Sequence, residues 1–266
     1  MDAPNAVWTT DYKGQFKLGD GQYCFPLTVA DGYSRLLLAC QALTSTKLVE
    51  ARPIFERLFR EYGRPRRIRS DNGVPFATQA LGRLSSLAVW WIRLGIRLGI
   101  RPDLTEPGSP HQNGRHERMH LTLKRECTRP PQPHRAQQQR CFDRWRQEYN
   151  TLRPHEALAD ATPASVYTPS PRSYPTSLSP LEYPGHYEVR RVSRNGGIRW
   201  HKQWVNVSQT LGEEYVGFVE IDDGEWDVYF GRSAWADSTS APCSSRMHSA
   251  GTTAGLTNHR HLCLRT

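Results

Sequence analysis

The sequence predicts an α/β domain with a mixed sheet flanked by helices, followed by a small all-β module and a disordered tail. Strand-like and helical segments alternate through residues 1–165, which is typical of a mixed sheet covered by helices. Residues 166–184 form a Pro/Ser-rich linker. Residues 185–232 contain four short strand-like runs, namely His186–Val192, Ile198–Val207, Tyr215–Ile221 and Glu225–Phe230, with hairpin turns predicted at 195–197 and 222–224. Residues 233–266 are rich in Ser, Thr and Ala, so we expect this segment to be disordered.

Short β-rich runs separated by turn signals define the sheet of the first domain. Asp31-Gly32 lies between Gln22–Ala30 and Arg35–Gln41, which predicts a hairpin with Asp31 in its turn. Val7–Tyr12 adds a third strand because it is rich in β-formers. Two further short strands are predicted at Arg67–Ser70 and Arg101–Thr105.

Four helices are predicted in the first domain. Apolar residues recur at helical spacing over Leu48–Tyr62, and Gly63-Arg64-Pro65 ends that helix. The other three are predicted over Gln79–Leu94, Gln112–Cys127 and Ala136–Asn150.

The charge of the chain is concentrated in its first domain. The 266 residues include 35 Lys+Arg and 26 Asp+Glu, and residues 1–165 hold 25 and 16 of them, so this segment carries the whole net charge of +9. A basic domain favours an anionic polymer as partner, and nucleic acid is the first candidate. The alternative is a solvated Arg-rich surface, since 30 Arg against 5 Lys also fits the codon usage of a GC-rich genome.

Other compositional features exclude several classes of protein. No apolar run approaches the ~18–20 residues of a membrane span, and residues 1–5 lack the features of a signal peptide. The six cysteines are scattered without a C-x-x-C pair, which argues against a disulfide scaffold and a cysteine zinc site. We therefore expect a cytoplasmic protein with reduced thiols.

Three acidic residues are candidates for a catalytic site. Asp11 lies on the first strand, Asp71 ends a strand, and Glu117 lies in the first turns of a helix. Each alone has an ordinary alternative: a turn aspartate for Asp71, a solvated helix glutamate for Glu117. Carboxylates from strand ends and a helix face can converge, and oxygen-only ligands suit Mg²⁺ or Mn²⁺. Two such ions can activate a hydroxyl nucleophile and stabilise the leaving oxygen of a phosphodiester.

Five sequence boxes in this order resemble those of DDE transposases, in particular bacterial insertion-sequence transposases whose catalytic core is similar to retroviral integrase. The boxes are Asp11 with Lys13-Gly14, the hairpin at 31–35, Ser70–Phe76 (SDNGVPF), the run at 110–118, and Tyr149–Leu158.

The resemblance covers residues 5–165 and implies a ribonuclease-H-like fold and DNA strand transfer (transposition or integration) by phosphodiester transesterification with two Mg²⁺ or Mn²⁺ ions. It implies Asp11, Asp71 and Glu117 as catalytic metal ligands, and element ends and target DNA as partners of a homo-oligomer near the nucleoid. It further implies phosphate contacts from Lys13, Arg115, His116, Arg118 and Lys124.

Three departures from the family pattern bear on activity. Such transposases usually begin with a helix-turn-helix region that reads the element's ends, whereas the motifs here start almost at Met1, so we expect end recognition to be missing or supplied by another chain. Ile92-Arg93-Leu94-Gly95 is repeated at once as residues 96–99, and removing one copy would shorten the interval between Asp71 and Glu117 from 45 to 41 residues. The composition of residues 233–266 is what a shifted reading frame would give. A truncated or degenerate transposase copy is therefore expected; the alternatives are a non-catalytic DNA-binding remnant and a metal-dependent nuclease of the same fold.

Overall fold

The structure is a computed structural model that describes residues 1–71, 73–77, 84–94, 100–104, 114–178, 180–222, 225–231, 244–248 and 256–257. It divides into two compact units. The first, here called the core unit, comprises Met1–Phe76 and Ile100–Thr176; the second, here called the β unit, comprises Ala77–Gly99 and Ser177–Thr266. Within the described ranges no helix has both the length and the apolar composition to cross a membrane.

The core unit is built on a six-stranded mixed sheet. Its order is β2-β3-β1-β5-β6, with β4 paired to the other edge of β3. β1 runs antiparallel to β3 and parallel to β5, and β5 runs parallel to β6. This arrangement confirms the predicted mixed sheet, and the strands are β1 Val7–Tyr12, β2 Phe16–Lys17, β3 Tyr23–Asp31, β4 Leu37–Leu43, β5 Arg67–Ser70 and β6 Arg101–Leu104.

The α-helices follow the predicted order, and some of their boundaries differ from prediction. They are α1 Leu48–Tyr62, α2 Ser86–Arg93, α3 Gly114–Cys127, α4 Arg135–Thr151 and the short α5 Pro163–Val166. The predicted helix Gln79–Leu94 begins only at Ser86, because Ser85 Oγ accepts the N–H of Ala88 at 3.1 Å and so caps the first turn. Residues 78–83, and residues 112–113 of the third predicted helix, lie outside the described residues.

Apolar side chains of α3 and α4 cover the β3–β4 side of the sheet. Buried residues of both helices pack with strand residues in one cluster, which includes Leu37 and Cys40 from β4, Met119 and Leu123 from α3, and Phe142 and Trp145 from α4. α3 is therefore attached to the sheet along a defined face, which fixes the direction of its other side chains.

The first part of the predicted linker is docked on the core unit. Tyr167 Oη donates to Asn5 Oδ1 at 2.8 Å, the N–H of Ser170 donates to Tyr62 O at 2.8 Å, and Arg64 Nε donates to Ser173 O at 2.9 Å. These bonds extend the compact core unit to Thr176, beyond the boundary at residue 165 that composition suggests.

The β unit contains a five-stranded antiparallel sheet and a separate hairpin. The sheet order is β13-β12-β11-β10-β7, and β8 pairs only with β9. The strands are β7 Glu188–Arg191, β8 Gly197–Trp200, β9 Gln203–Asn206, β10 Tyr215–Asp222, β11 Glu225–Tyr229, β12 Ser244–His248 and β13 Leu256–Thr257. The predicted hairpin between Tyr215–Ile221 and Glu225–Phe230 is present as the β10–β11 pair.

Two connections in the β unit differ from prediction. The single predicted run Ile198–Val207 folds into the β8–β9 hairpin, whose turn residues His201 and Lys202 have φ of +43° and +68°. Positive φ at both central positions is the type I′ geometry that usually takes Asn or Gly, and His-Lys is not a recognised turn signal. The turn predicted at residues 195–197 does not join paired strands, because β7 pairs with β10.

Two short segments of the tail carry regular structure. Residues 233–266 were expected to be disordered, whereas Ser244–His248 pairs with β11 and Leu256–Thr257 pairs with Ser244–His248. Strand addition to a sheet edge uses backbone groups, so a composition rich in Ser, Thr and Ala does not prevent it. The other residues of the tail lie outside the described part of the chain.

Helix α2 packs within the β unit. Ala88, Val89 and Ile92 share one buried cluster with residues of β10 such as Val216 and Phe218. Arg93 Nε lies 3.4 Å from Glu214 Oε2. A Cβ at Gly231 would approach Ile92 Cγ2 to 2.3 Å, so the Gly231 backbone packs directly on this side chain. The first copy of the tandem repeat therefore contributes to packing through Ile92. The second copy, residues 96–99, lies outside the described residues.

Candidate active site

Asp11 lies near the end of the central strand β1. Its side chain retains 20% of its accessible surface. Burial, followed by the charge of Asp71, raises the pKa of Asp11 from 3.8 to about 7. The charge of Glu117 adds a smaller increase, and the Tyr12 backbone and Lys13 act in the opposite direction. A carboxyl with this pKa is one whose charge is poorly compensated by neighbouring groups.

Asp71 directly follows the neighbouring parallel strand β5. Thr10 and Ser70 are register partners, so the next residue on each strand brings Asp11 and Asp71 to the same edge of the sheet. Asp71 Oδ1 accepts the N–H of Gly73 at 3.2 Å, which is the turn role expected of an Asp in this context. Asp71 can accept the Gly73 N–H and also take part in the site, because an ionised carboxylate can accept several bonds through its two oxygens.

Glu117 lies in the first turn of α3 with an exposed side chain. Its charge, like that of Asp71, contributes to the raised pKa of Asp11, so both of the other predicted carboxylates act on Asp11. Among the residues that the structure describes, no three His, Cys, Asp or Glu side chains are gathered closely enough to hold one metal ion. The three carboxylates are thus neighbours through their charges without forming a closed ligand set.

A buried hydrogen-bond network lies beneath these carboxylates. Thr28 Oγ1 lies 3.0 Å from Asp11 O, 2.6 Å from His116 Nε2 and 2.7 Å from His120 Nε2. The Thr28 hydroxyl has one proton, which it donates to the Asp11 carbonyl because a carbonyl oxygen only accepts. Thr28 Oγ1 can then only accept from the two imidazoles, so Nε2 of His116 and Nε2 of His120 each carry a proton.

The remaining ring nitrogens of the two histidines face β1. His116 Nδ1 lies 3.0 Å from Thr9 Oγ1, and His120 Nδ1 lies 3.7 Å from Asp11 Oδ2. Burial lowers the pKa of His116 to about 4, and burial together with His116 and Lys13 lowers the pKa of His120 to about 2. Both imidazoles are therefore neutral at pH 7.

The predicted phosphate-binding residues other than His116 differ in their exposure to solvent. Arg118 is exposed on α3, while Lys13 and Lys124 are half-buried. Burial and the charges of Lys124 and Arg129 lower the pKa of Lys13, so these three cations are close in space. The side chain of Arg115 lies outside the described residues.

The expectation for His116 is corrected by the structure. This residue was predicted to face DNA phosphates, but its side chain is only 3% exposed and both its ring nitrogens are hydrogen-bonded inside the protein. The physical reason is helical phase: His116, Met119, His120 and Leu123 are spaced i, i+3, i+4 and i+7, which places them together on the face toward the sheet.

Sequence reasoning missed Thr28 and His120. Thr28 lies within an apolar strand where a hydroxyl residue carries no motif. His120 had a readable signal, because it lies one turn after His116 on the apolar face of α3.

Two family models match this chain in its first part. The integrase core domain family matches residues 1–110 with one model and residues 98–163 with a second. Together the matched ranges cover the core unit through α4 and reach the start of α5.

Relatives of known origin include proteins of bacterial insertion elements. An uncharacterized 31.7 kDa protein of insertion element IS407 from Burkholderia multivorans is 28% identical over 163 residues, which cover 61% of this chain and 55% of the relative. A 39.2 kDa protein of IS476 from Xanthomonas euvesicatoria is 29% identical over 164 residues, or 60% of this chain and 44% of the relative. The chain thus spans about half the length of these relatives.

A viral polyprotein and a solved viral structure are also similar to this chain. The Gag-Pol polyprotein of gibbon ape leukemia virus is 28% identical over 128 residues, covering 48% of this chain and 7% of the polyprotein. The simian T-cell lymphotropic virus intasome in complex with the PP2A subunit B56 gamma aligns over 85% of this chain and 76% of its own, at a TM-score of 0.50 and 17% identity. At that identity the likeness concerns the fold alone.

Proposed function

Because residues 1–163 form an integrase core domain of the DDE transposase and integrase family, we propose that this protein is a DNA strand-transfer enzyme. The observation that carries the proposal is the shared electrostatics of Asp11, Asp71 and Glu117. Asp11 lies on β1, Asp71 directly follows β5, and Glu117 lies on α3. The charges of Asp71 and Glu117 raise the pKa of Asp11. Carboxylate oxygens that lie near one another on β1, after β5 and on α3 support the proposal of a divalent-cation site.

The three carboxylates fit Mg²⁺ or Mn²⁺ by their chemistry. All the donors are carboxylate oxygens, which hard cations prefer, and the exposed side chain of Glu117 has the freedom to reorient. When bound, two such ions would activate an attacking hydroxyl and stabilise the departing oxygen.

The residues around the carboxylates have separate tasks in this proposal. Lys13, Arg118 and Lys124 hold DNA phosphates and fix the position of the duplex without reading its sequence. A 3′-hydroxyl of one DNA end forms a new bond to a target phosphorus, and the bond from that phosphorus to the target 3′-oxygen breaks. The hydroxyl releases its proton to solvent, and the departing 3′-oxygen takes one up, so no covalent enzyme intermediate is formed.

A strand-transfer assay with pre-cut element ends and labelled target DNA tests this function. We expect joined products in Mg²⁺ or Mn²⁺, and their loss in Asp11→Asn, Asp71→Asn and Glu117→Gln. Glu148→Gln, a change at an exposed carboxylate of α4, is the control that keeps activity. Cleavage without joining would identify a nuclease, and DNA binding without either reaction would identify a non-catalytic remnant.

The DNA partners and assembly belong to the same proposal. We propose that the protein binds element ends and target DNA as a homo-oligomer in the bacterial cytoplasm. Light scattering of the full chain, with and without DNA ends, measures the assembly directly, and a monomer in both conditions would contradict this part.

A further inference from the structure

Thr28 occupies the register position directly opposite Asp11. The two residues are partners in the antiparallel β1–β3 ladder, so their side chains leave the sheet on the same face. Thr28 is fully buried, and its hydroxyl donates to the backbone carbonyl of Asp11. One side chain of β3 thus holds the main chain of the strand that bears Asp11.

The same hydroxyl also holds the helix that bears Glu117. His116 and His120 lie one helical turn apart, and both donate from Nε2 to Thr28 Oγ1. Glu117 follows His116 directly and precedes His120 by three residues. These two hydrogen bonds act together with the apolar packing of α3 to set its rotation about its axis, and therefore the direction of Glu117.

We propose that Thr28 is a positioning residue that sets the separation between Asp11 and Glu117 by joining β1, β3 and α3 through one hydroxyl. This inference rests on the proposed function in taking those two carboxylates as ligands of one site. It assigns no chemical step to Thr28, which acts through the carboxylates that it aligns.

The physical basis is the number of polar groups that depend on this hydroxyl. Without the Thr28 hydroxyl, the Asp11 carbonyl and two imidazole N–H groups would each lose a hydrogen-bond partner in the protein interior. Because an unsatisfied buried polar group is costly, we expect these groups to shift toward other hydrogen-bond partners. Movement of either histidine rotates α3 and displaces Glu117. Residues that orient metal ligands typically change metal affinity by about 10–100-fold when they are removed.

A matched set of variants separates positioning from general stability. Thr28→Val removes the hydroxyl and keeps the shape, while Thr28→Ser keeps the hydroxyl. Thr10→Val is the control. Thr10 is also buried and neighbours Asp11 on β1, and its hydroxyl donates to the Thr28 carbonyl at 3.0 Å. Its side chain leaves the sheet on the opposite face from Thr28 and Asp11. His120→Phe provides a second route to the same network should Thr28→Val fail to fold.

Two measurements on the full chain test the inference: Mn²⁺ affinity by titration calorimetry, and hydrogen exchange of the α3 amides without metal. We expect Thr28→Val to weaken Mn²⁺ binding at least about tenfold and to accelerate exchange in α3. Thr28→Ser should stay within about threefold of wild type, Thr10→Val should change neither quantity although it lowers the melting temperature, and His120→Phe should follow Thr28→Val.

Unchanged Mn²⁺ affinity and α3 exchange in Thr28→Val would overturn the inference, and so would equal losses in Thr28→Val and Thr10→Val. Failure of the proposed function gives a different result. A wild-type protein that binds no Mn²⁺ would reject the metal site, and α3 exchange alone would then decide whether Thr28 positions the helix.

Discussion

Asp31 Oδ1 accepts the backbone N–H of Asn5 at 2.7 Å, and this bond ties the β3–β4 turn to the segment before β1. The second oxygen of Asp31 accepts from the backbone N–H groups of Tyr33 and Ser34 and from the Ser34 hydroxyl. The predicted turn residue thus also fixes the entry of the chain into its central strand, which ends at the candidate site.

Removal of the Asp31 carboxylate should destabilise the core unit. Asp31 is 1% exposed, so Asp31→Ala leaves several buried donors without a partner, and we expect a loss of about 3 kcal/mol in the free energy of unfolding. The measurement is urea unfolding at pH 7. Asp20→Ala is the control, because Asp20 accepts the N–H of Gln22 in an exposed turn and should cost less than about 1 kcal/mol. Equal losses in the two variants would contradict the central role of Asp31.

Asp11 should make metal-free stability fall as the pH rises. The pKa of Asp11 is raised from 3.8 to about 7 in the folded protein, so the folded state holds this proton more tightly than the unfolded chain does. Its contribution is present below pH 4 and is lost between about pH 4 and pH 7. Asp11→Asn should therefore match wild type near pH 4 and exceed it at pH 8 by up to about 4 kcal/mol, at ~1.4 kcal/mol for each pKa unit.

Denaturant unfolding in EDTA at a series of pH values measures this difference. Glu148→Gln changes an exposed carboxylate and should show no such trend. A stability difference between Asp11→Asn and wild type that is constant from pH 4 to pH 8 would reject the raised pKa.

Arg118 and Lys124 should contribute to DNA affinity through phosphate contacts. Replacing either by Ala should weaken binding to any duplex sequence by a similar factor and reduce the salt dependence by about one ion. Fluorescence anisotropy across a range of salt concentrations gives both quantities. Arg57→Ala, at an exposed position on α1, removes the same charge elsewhere, and an equal loss of affinity there would contradict a localised DNA surface.

The two copies of Ile-Arg-Leu-Gly should differ in importance. Ile92 is buried in the β unit cluster, so Ile92→Ala should lower stability by about 3 kcal/mol. Deletion of residues 96–99 leaves one copy in place, and we expect it to raise the melting temperature, because we predict that the extra four residues are a tolerated insertion. Scanning calorimetry measures the melting temperature of each variant. An unfolded deletion variant would show that both copies are structural.

The sheet of the core unit was predictable because each strand has local signals. Val7–Tyr12 and Arg67–Ser70 were predicted with the bounds that the structure gives, and α1 was predicted over its full length. Apolar periodicity, the helix stop at Gly63-Arg64-Pro65 and the turn at Asp31-Gly32 each depend on a few consecutive residues, so they can be recognised in the sequence directly.

Other features depend on contacts far apart in sequence. The apolar face of α2 is visible in the sequence, but its packing within the β unit is not, because amphipathicity does not name a partner. Thr28 meets histidines that lie about 90 residues away, and no local pattern predicts that meeting. The order of Asp11, Asp71 and Glu117 was recognisable from motifs, while their electrostatic coupling required the fold.

The chain enters the β unit twice, once with α2 and again after residue 177, and this order affects synthesis. About 95 residues separate the end of α2 from β7, which a ribosome adds in roughly five to twenty seconds. During that interval Ala88, Val89 and Ile92 lack the strands that cover them in the finished protein. The nascent chain therefore presents an apolar helix face while the core unit is still being made, and chaperone binding at α2 would protect it until the last strands emerge.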